Sequence, residues 1–164
     1  QMCIRDSNNT DQIQTGSDFA NTEPTTSVFS SNASSSSSAT FVSYCFAEVE
    51  GFSKFGTYEG NNSADGTFVY LGFKPALLIV KNLDGAYGWR MYDNARAPIN
   101  PIHNTILADV TTAENTSTYE ADFLANGFKQ RDTYSSTNAS NSYVYMAWAE
   151  HPFVGSGTNP VTAR

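Results

Sequence analysis

The chain has 164 residues, 40% of them apolar and 13% aromatic, with a formal charge of −7 at neutral pH. That is the length of one domain, with enough apolar matter for a core. The lysines and arginines form no cluster or stripe, which excludes the electrostatic footprint of a nucleic-acid binder and gives an anionic membrane nothing to attract.

No apolar run approaches the roughly 18 residues of a membrane span. Charged residues make up only 15%, and Ser, Thr and Asn fill much of the remainder. Such compositions are common on extracellular and virion β-proteins.

In chain order, Gln1–Ser7 can be encoded by a stretch that resembles a transposon-end adapter used to fragment DNA. The segment is set aside as a scar, with the true N-terminus expected upstream. Residues 8–40 are polar, with Ser34–Ser38 an unbroken serine run and Ile13, Phe19, Val28 and Phe29 the apolar anchors. They cannot bury enough surface to order themselves. They are expected to be a linker, with Val28-Phe29 left over from a strand of a preceding module.

Residues 41–153 are expected to form the folded module, and 154–164 an exit linker. Phe41–Glu50 predicts a strand from its aromatic and β-branched content. Its first eight residues return as Tyr143–Glu150, an offset of 143 − 41 = 102 residues. Such a period marks a module array. In the second copy Val144, Met146, Trp148 and Glu150 alternate with Tyr143, Tyr145, Ala147 and Ala149. Both faces are largely apolar, as in a central strand covered on both sides.

Between the copies lie short strands at Phe55–Tyr58, Phe68–Leu71, Ala76–Lys81 and Tyr87–Tyr92. In the last of these, Tyr87, Trp89 and Met91 share a face. Turn formers at 59–66 and Asp84-Gly85 separate them. Asp93–Ser117 is a long irregular connection holding a short strand at Ile106-Leu107; connections of that length are often functional. Asn126-Gly127 predicts a two-residue hairpin turn with positive φ at both positions.

Seven or eight short strands without helical periodicity predict an all-β protein, an antiparallel β-sandwich of jelly-roll or concanavalin-like type. Cys3 falls in the scar. Cys45 then has no internal disulfide partner and reads as a small buried hydrophobe.

The phrases at Tyr44–Gly56, Gly72–Ala76, Trp89–Asp93 and Asn126–Lys129 together resemble an uncharacterised β-domain that recurs in tandem in large marine phage virion and tail-appendage proteins. The resemblance runs from about Phe41 to Phe153. It implies a concanavalin-like or jelly-roll sandwich displayed on a particle surface. That family has no established chemistry, so it implies no catalytic residues.

Read from the residues themselves, Trp89, Tyr92, Asp93, Arg96 and Asn100 cluster at a strand end and the start of the long loop. Aromatic, carboxylate and amide groups together are how a sugar is held, by stacking and by bonds to its hydroxyls. The alternative is a core tryptophan beside a salt-bridged turn. Glu48 and Glu50, two apart on a strand, would point to one face and could serve a glycan hydrolase, or merely close a strand end. Asn61, Asn62, Ser63 and Asp65 could hold Ca²⁺, or form an ordinary turn. His103 and His151 are isolated from further ligands, so no transition-metal site and no cofactor is expected.

The expected function is a non-enzymatic structural or adhesive module of a phage tail or virion appendage, at the virion surface or otherwise extracellular. Its partners would be neighbouring repeats and a host-surface glycan, with no nucleic acid and no membrane; oligomeric state stays open. The alternatives are a glycan hydrolase on the same fold and a bacterial surface adhesin repeat.

Overall fold

The computed structural model describes residues 25, 27, 28 and 44–152. The expectations for residues 1–7, for Phe29, for Phe41–Ser43 and for 154–164 lie outside the described residues. The chain divides into two units, Gln14–Phe46 and the remainder. In the first, the Thr25 hydroxyl accepts from the backbone N–H groups of Ser27 (3.2 Å) and Val28 (3.1 Å), closing a short turn. Val28, Tyr44, Cys45 and Phe46 are exposed and lie in no strand. The expectation of a buried Cys45 is therefore corrected.

Among its described residues the second unit holds eight strands: β1 (Ser53–Glu59), β2 (Phe68–Tyr70), β3 (Pro75–Asn82), β4 (Arg90–Asp93), β5 (Thr105–Leu107), β6 (Ala121–Leu124), β7 (Gly127–Gln130) and β8 (Ser142–Ala149). They form a five-stranded sheet ordered β1-β8-β3-β4-β5 and a three-stranded sheet ordered β2-β7-β6. Every pairing is antiparallel. There is no helix among the described residues. The expected all-β sandwich is what the chain forms.

The two-faced apolar pattern of Tyr143–Glu150 belongs to β8, which lies between β1 and β3. On one face, Phe55, Met146, Ile79, Met91 and Ile106 stand in a single row across all five strands, half-buried. On the other face, Tyr58 and Tyr143 pair across β1 and β8 with rings stacked at 5.0 Å. Phe128 on β7 meets both Tyr58 (5.8 Å) and Tyr145 (5.5 Å) edge to face, joining the two sheets. Edge-to-face geometry suits the aromatic quadrupole and adds to the area buried. Leu78, Val80, Tyr92, Val69 and Phe123 complete this core.

The first copy of the repeated phrase is not a strand where it is described. Residues 44–48 lie in no strand. The local reason is a reverse turn. The Phe52 N–H donates to the Val49 carbonyl at 2.9 Å, and Gly51 takes a φ of 72° that side chains resist. Val49 then bridges Ser53, so the chain turns back just before β1 begins.

Two finer expectations also shift. β4 begins at Arg90, with Tyr87 exposed and Trp89 held short of the strand. The hairpin between β6 and β7 is present, but its turn is Ala125-Asn126, because Leu124 pairs with Gly127. Among the described residues, positive φ occurs at Gly51, Asn62 and Gly72. Gly127 is required instead by close approach: a Cβ there would lie 2.1 Å from the Val69 carbonyl oxygen on β2.

Candidate functional site

The five residues expected to hold a sugar are not gathered into one. Trp89 is 3% exposed and Tyr92 is fully buried, so neither ring offers a face for stacking. The Trp89 backbone is fixed from both sides, its N–H donating to Asp109 Oδ1 (3.1 Å) and its carbonyl accepting from Ala108 (3.0 Å). Tyr92 lies on the inward face of β4, where burial first, and the Asp132 charge next, push its phenol well up.

Asp93 and Arg96 form the salt-bridged turn. Asp93 Oδ1 accepts from the Ala95 and Arg96 N–H groups (3.1 and 2.8 Å), and Oδ2 accepts from Arg96 Nε (2.5 Å). Burial acts to raise the Asp93 carboxyl, but the Arg96 hydrogen bonds and charge outweigh it and hold the group below the usual range. Both ends of the Asn100 amide are committed to Phe123, donating to its carbonyl (3.0 Å) and accepting from its N–H (2.9 Å). The five stand as two core aromatics, a turn ion pair and a backbone clasp. Sequence spacing brought the residues near one another, but the pleat sends Tyr92 inward while Asn100 is used up on β6.

The residues that line an open groove are different ones. A groove of about 410 Å³ lies where the start of β1 meets the end of β2, lined by Glu48, Glu50, Ser53, Lys54, Tyr70 and the backbone that follows to Phe73. Its volume falls within the usual range of small-ligand sites, about 300–1,000 Å³. Tyr70 is 60% exposed. It stands outward because β2 alternates exposed, buried, exposed, with Val69 taken into the core. Opposite it, β7 offers Gly127, which has no side chain to cover the ring.

Lys54 reaches from β1 to the smaller sheet. Its Nζ donates to the Tyr70 carbonyl at 3.1 Å and stands 5.4 Å from the centre of the ring. The Ser53 hydroxyl is spent on the Ala47 carbonyl (3.1 Å). Glu48 and Glu50 are exposed and have no hydrogen-bond or ion-pair partner among the described residues. They do not sit on one strand as expected, but before and within the Val49–Phe52 turn, yet both face this groove. Burial, then the Glu48 charge, pushes the Tyr145 phenol up.

Tyr70 and Lys54 escaped sequence reasoning. The available signal was the Phe68-Val69-Tyr70 alternation, in which the two aromatics share the face that Val69 does not.

Beside the groove, the outer face of the smaller sheet is tied by charge. Asp65 meets Lys129 and, at 3.8 Å, Arg131, which also lies 3.5 Å from Asp122. The Lys129 hydrogen bond holds the Asp65 carboxyl below its ordinary value. The turn formers at 61–65 are occupied with one another and with a buried hub. Asn61 Oδ1 accepts from Ser63 N–H (3.1 Å) and from Asn138 Nδ2 (3.1 Å), and Asn61 Nδ2 donates to the Asp65 carbonyl (3.0 Å). Asn138, fully buried, also donates to the carbonyls of Ser63 (2.8 Å) and Asp132 (2.7 Å). Among the described residues no group of three or more His, Cys, Asp or Glu is placed to hold a metal ion.

Fold and groove together define a two-sheet β-protein carrying an exposed aromatic among carboxylates and an ammonium at one pair of strand edges. The chain belongs to the family DUF7483, a domain of unknown function, which matches it over residues 4–152. No curated protein and no solved structure matches it.

Proposed function

We propose that the chain is a non-enzymatic adhesive module of a phage tail or virion appendage, meeting a host-surface glycan at the groove beside Tyr70. The observation that supports this most is the exposed Tyr70 ring at the mouth of a groove rimmed by Glu48, Glu50 and Lys54. A pyranose has one apolar face for a ring and a rim of hydroxyls for charged hydrogen-bonding groups. The virion setting rests on the phrases that resemble tandem phage-appendage domains, and it carries with it neighbouring repeats as partners and a surface, extracellular location. The site moves from Trp89, Tyr92, Asp93, Arg96 and Asn100 to the groove, because Trp89 and Tyr92 are buried whereas the Tyr70 ring is open.

The test is an NMR titration of the whole chain with neutral oligosaccharides and with glycan extracted from host surfaces. Shifts at Lys54 and Tyr70, lost in Tyr70→Ala, are the expected result. Absence of shifts with every glycan would remove the adhesive half and leave a structural module.

A second reading, glycan hydrolysis, draws on Glu48 and Glu50 in the same groove. Both are exposed, whereas a catalytic acid that stays protonated near neutral pH is typically enclosed by apolar groups. Binding is therefore favoured over cleavage. Release of reducing ends that disappears in Glu48→Gln would reverse that order.

A further inference from the structure

We infer that the glycan taken by the groove carries a free amino group, an ammonium on a sugar ring, rather than sulfate or carboxylate; this rests on the glycan reading above. The reason is which polar groups in the groove are already used. Lys54 is committed to the Tyr70 carbonyl and stands near the Tyr70 ring. The Ser53 hydroxyl is committed to Ala47. The charged groups there with no hydrogen-bond or ion-pair partner among the described residues are two carboxylates, Glu48 and Glu50.

Two carboxylates and one ammonium give the groove a net negative charge, on a chain that itself carries −7. An anionic sugar would meet repulsion at both scales. An ammonium would bring donors to two carboxylates. The exposed Tyr70 face suits the same ligand twice, since a ring attracts both the apolar face of a sugar and a nearby cation. The ordinary groove volume sets no preference between these sugars; the charge does.

The experiment is calorimetric titration of the whole chain at low ionic strength, at a pH where the sugar amine is protonated. Three probes of equal length are compared: a fully deacetylated glucosamine oligomer, its N-acetylated counterpart and a sulfated oligomer. The deacetylated probe is expected to bind about tenfold tighter than the acetylated one, about 1.4 kcal/mol, the scale of two exposed ion pairs. Added salt should narrow that gap.

In a Glu48→Gln, Glu50→Gln double variant the preference for the deacetylated probe should disappear, the two probes binding alike. Equal affinities in the native chain, a gap that survives the double substitution, or tightest binding of the sulfated probe would each overturn the inference while leaving the glycan reading intact. Binding of none of the three probes, with host glycan still bound, overturns the inference alone. Failure of host glycan as well overturns both.

Discussion

Lys54, on the edge strand of the larger sheet, donates to the carbonyl of Tyr70, on the edge strand of the smaller one, at 3.1 Å. The same ammonium stands near the Tyr70 ring at 5.4 Å. One side chain thus ties two sheet edges together and borders the open groove. Replacement by Met keeps the apolar stem and removes both interactions. Lys54→Met is expected to cost about 1 kcal/mol of stability, from one exposed hydrogen bond and one exposed cation–π contact. Urea unfolding measures this. A larger effect should appear as weaker glycan binding, since the Tyr70 backbone loses its tether.

At Gly127 the backbone of β2 leaves no room for a side chain on β7. A Cβ there meets the Val69 carbonyl oxygen at 2.1 Å, and backbone cannot yield as a flexible side chain can. Gly127→Ala is expected to destabilise by roughly 1–3 kcal/mol, the usual cost of overpacking. Hydrogen exchange should speed at Leu71 and Gly72, whose N–H groups both donate to the Asn126 carbonyl in the adjoining turn. Unchanged exchange there would contradict the assignment of Gly127 to close approach.

Asn138 holds the 59–66 loop to the segment before β8 from a fully buried position. Its side-chain amide donates to Asn61, Ser63 and Asp132, while its backbone carbonyl, which any residue would supply, accepts from Asn62 N–H at 2.7 Å. Asn138→Ala strands buried acceptors as well as deleting bonds, so roughly 2–4 kcal/mol should be lost. For a chain of this length that is a fall in Tm of roughly 5–15 °C. Asn138→Asp should fare little better, because a carboxylate cannot donate to the same carbonyls.

Acid should weaken the fold through two carboxylates. Asp93 is held low by Arg96 against the opposing effect of burial, and Glu150 is held low first by the hydrogen bond from Lys74. Groups whose folded pKa is depressed contribute stability above their unfolded values, about 3.9 and 4.3, and lose it as pH falls through the folded values. Stability is expected to drop below about pH 4, with a shallower drop in Asp93→Asn. Asp132 acts in the opposite sense: burial raises its carboxyl, only partly offset by hydrogen bonds from Thr137, Glu120 and Tyr134. Its contribution is present in acid and is lost as pH rises through the raised value. The stability of Asp132→Asn relative to the native chain should therefore improve between acid and neutral pH. Denaturation across that range, in all three proteins, gives the signs.

How much of this was legible depended on what each residue's neighbours do. Tyr143–Glu150 announced a central strand because both of its faces are apolar, and β8 is central. Tyr44–Glu48 repeats that pattern without forming a strand, because a strand also needs a partner ladder and the Gly51 turn interrupts the approach to β1. Tyr70 and Tyr92 are the same letter on short strands in a chain of turn formers. One is 60% exposed and the other 0%, and the difference lies in which face of which sheet each occupies. Asn100 looked like a hydroxyl binder because amides bind hydroxyls, and nothing local told that its partner would be the backbone of residue 123.

The Asn100 clasp has a further consequence for the outline of the sandwich. With both ends of its amide on Phe123, and with Ile102 bridging Ala121, it gives β6 a surrogate neighbour. Asn115 does the same for β5 by bridging Thr105. The long connection therefore works as a selvedge, binding off one rim of each sheet so that it offers no template for another chain. At the opposite rims, Val49 bridges β1 at Ser53, and Lys54 stitches β1 to β2. The groove lies at that stitched rim.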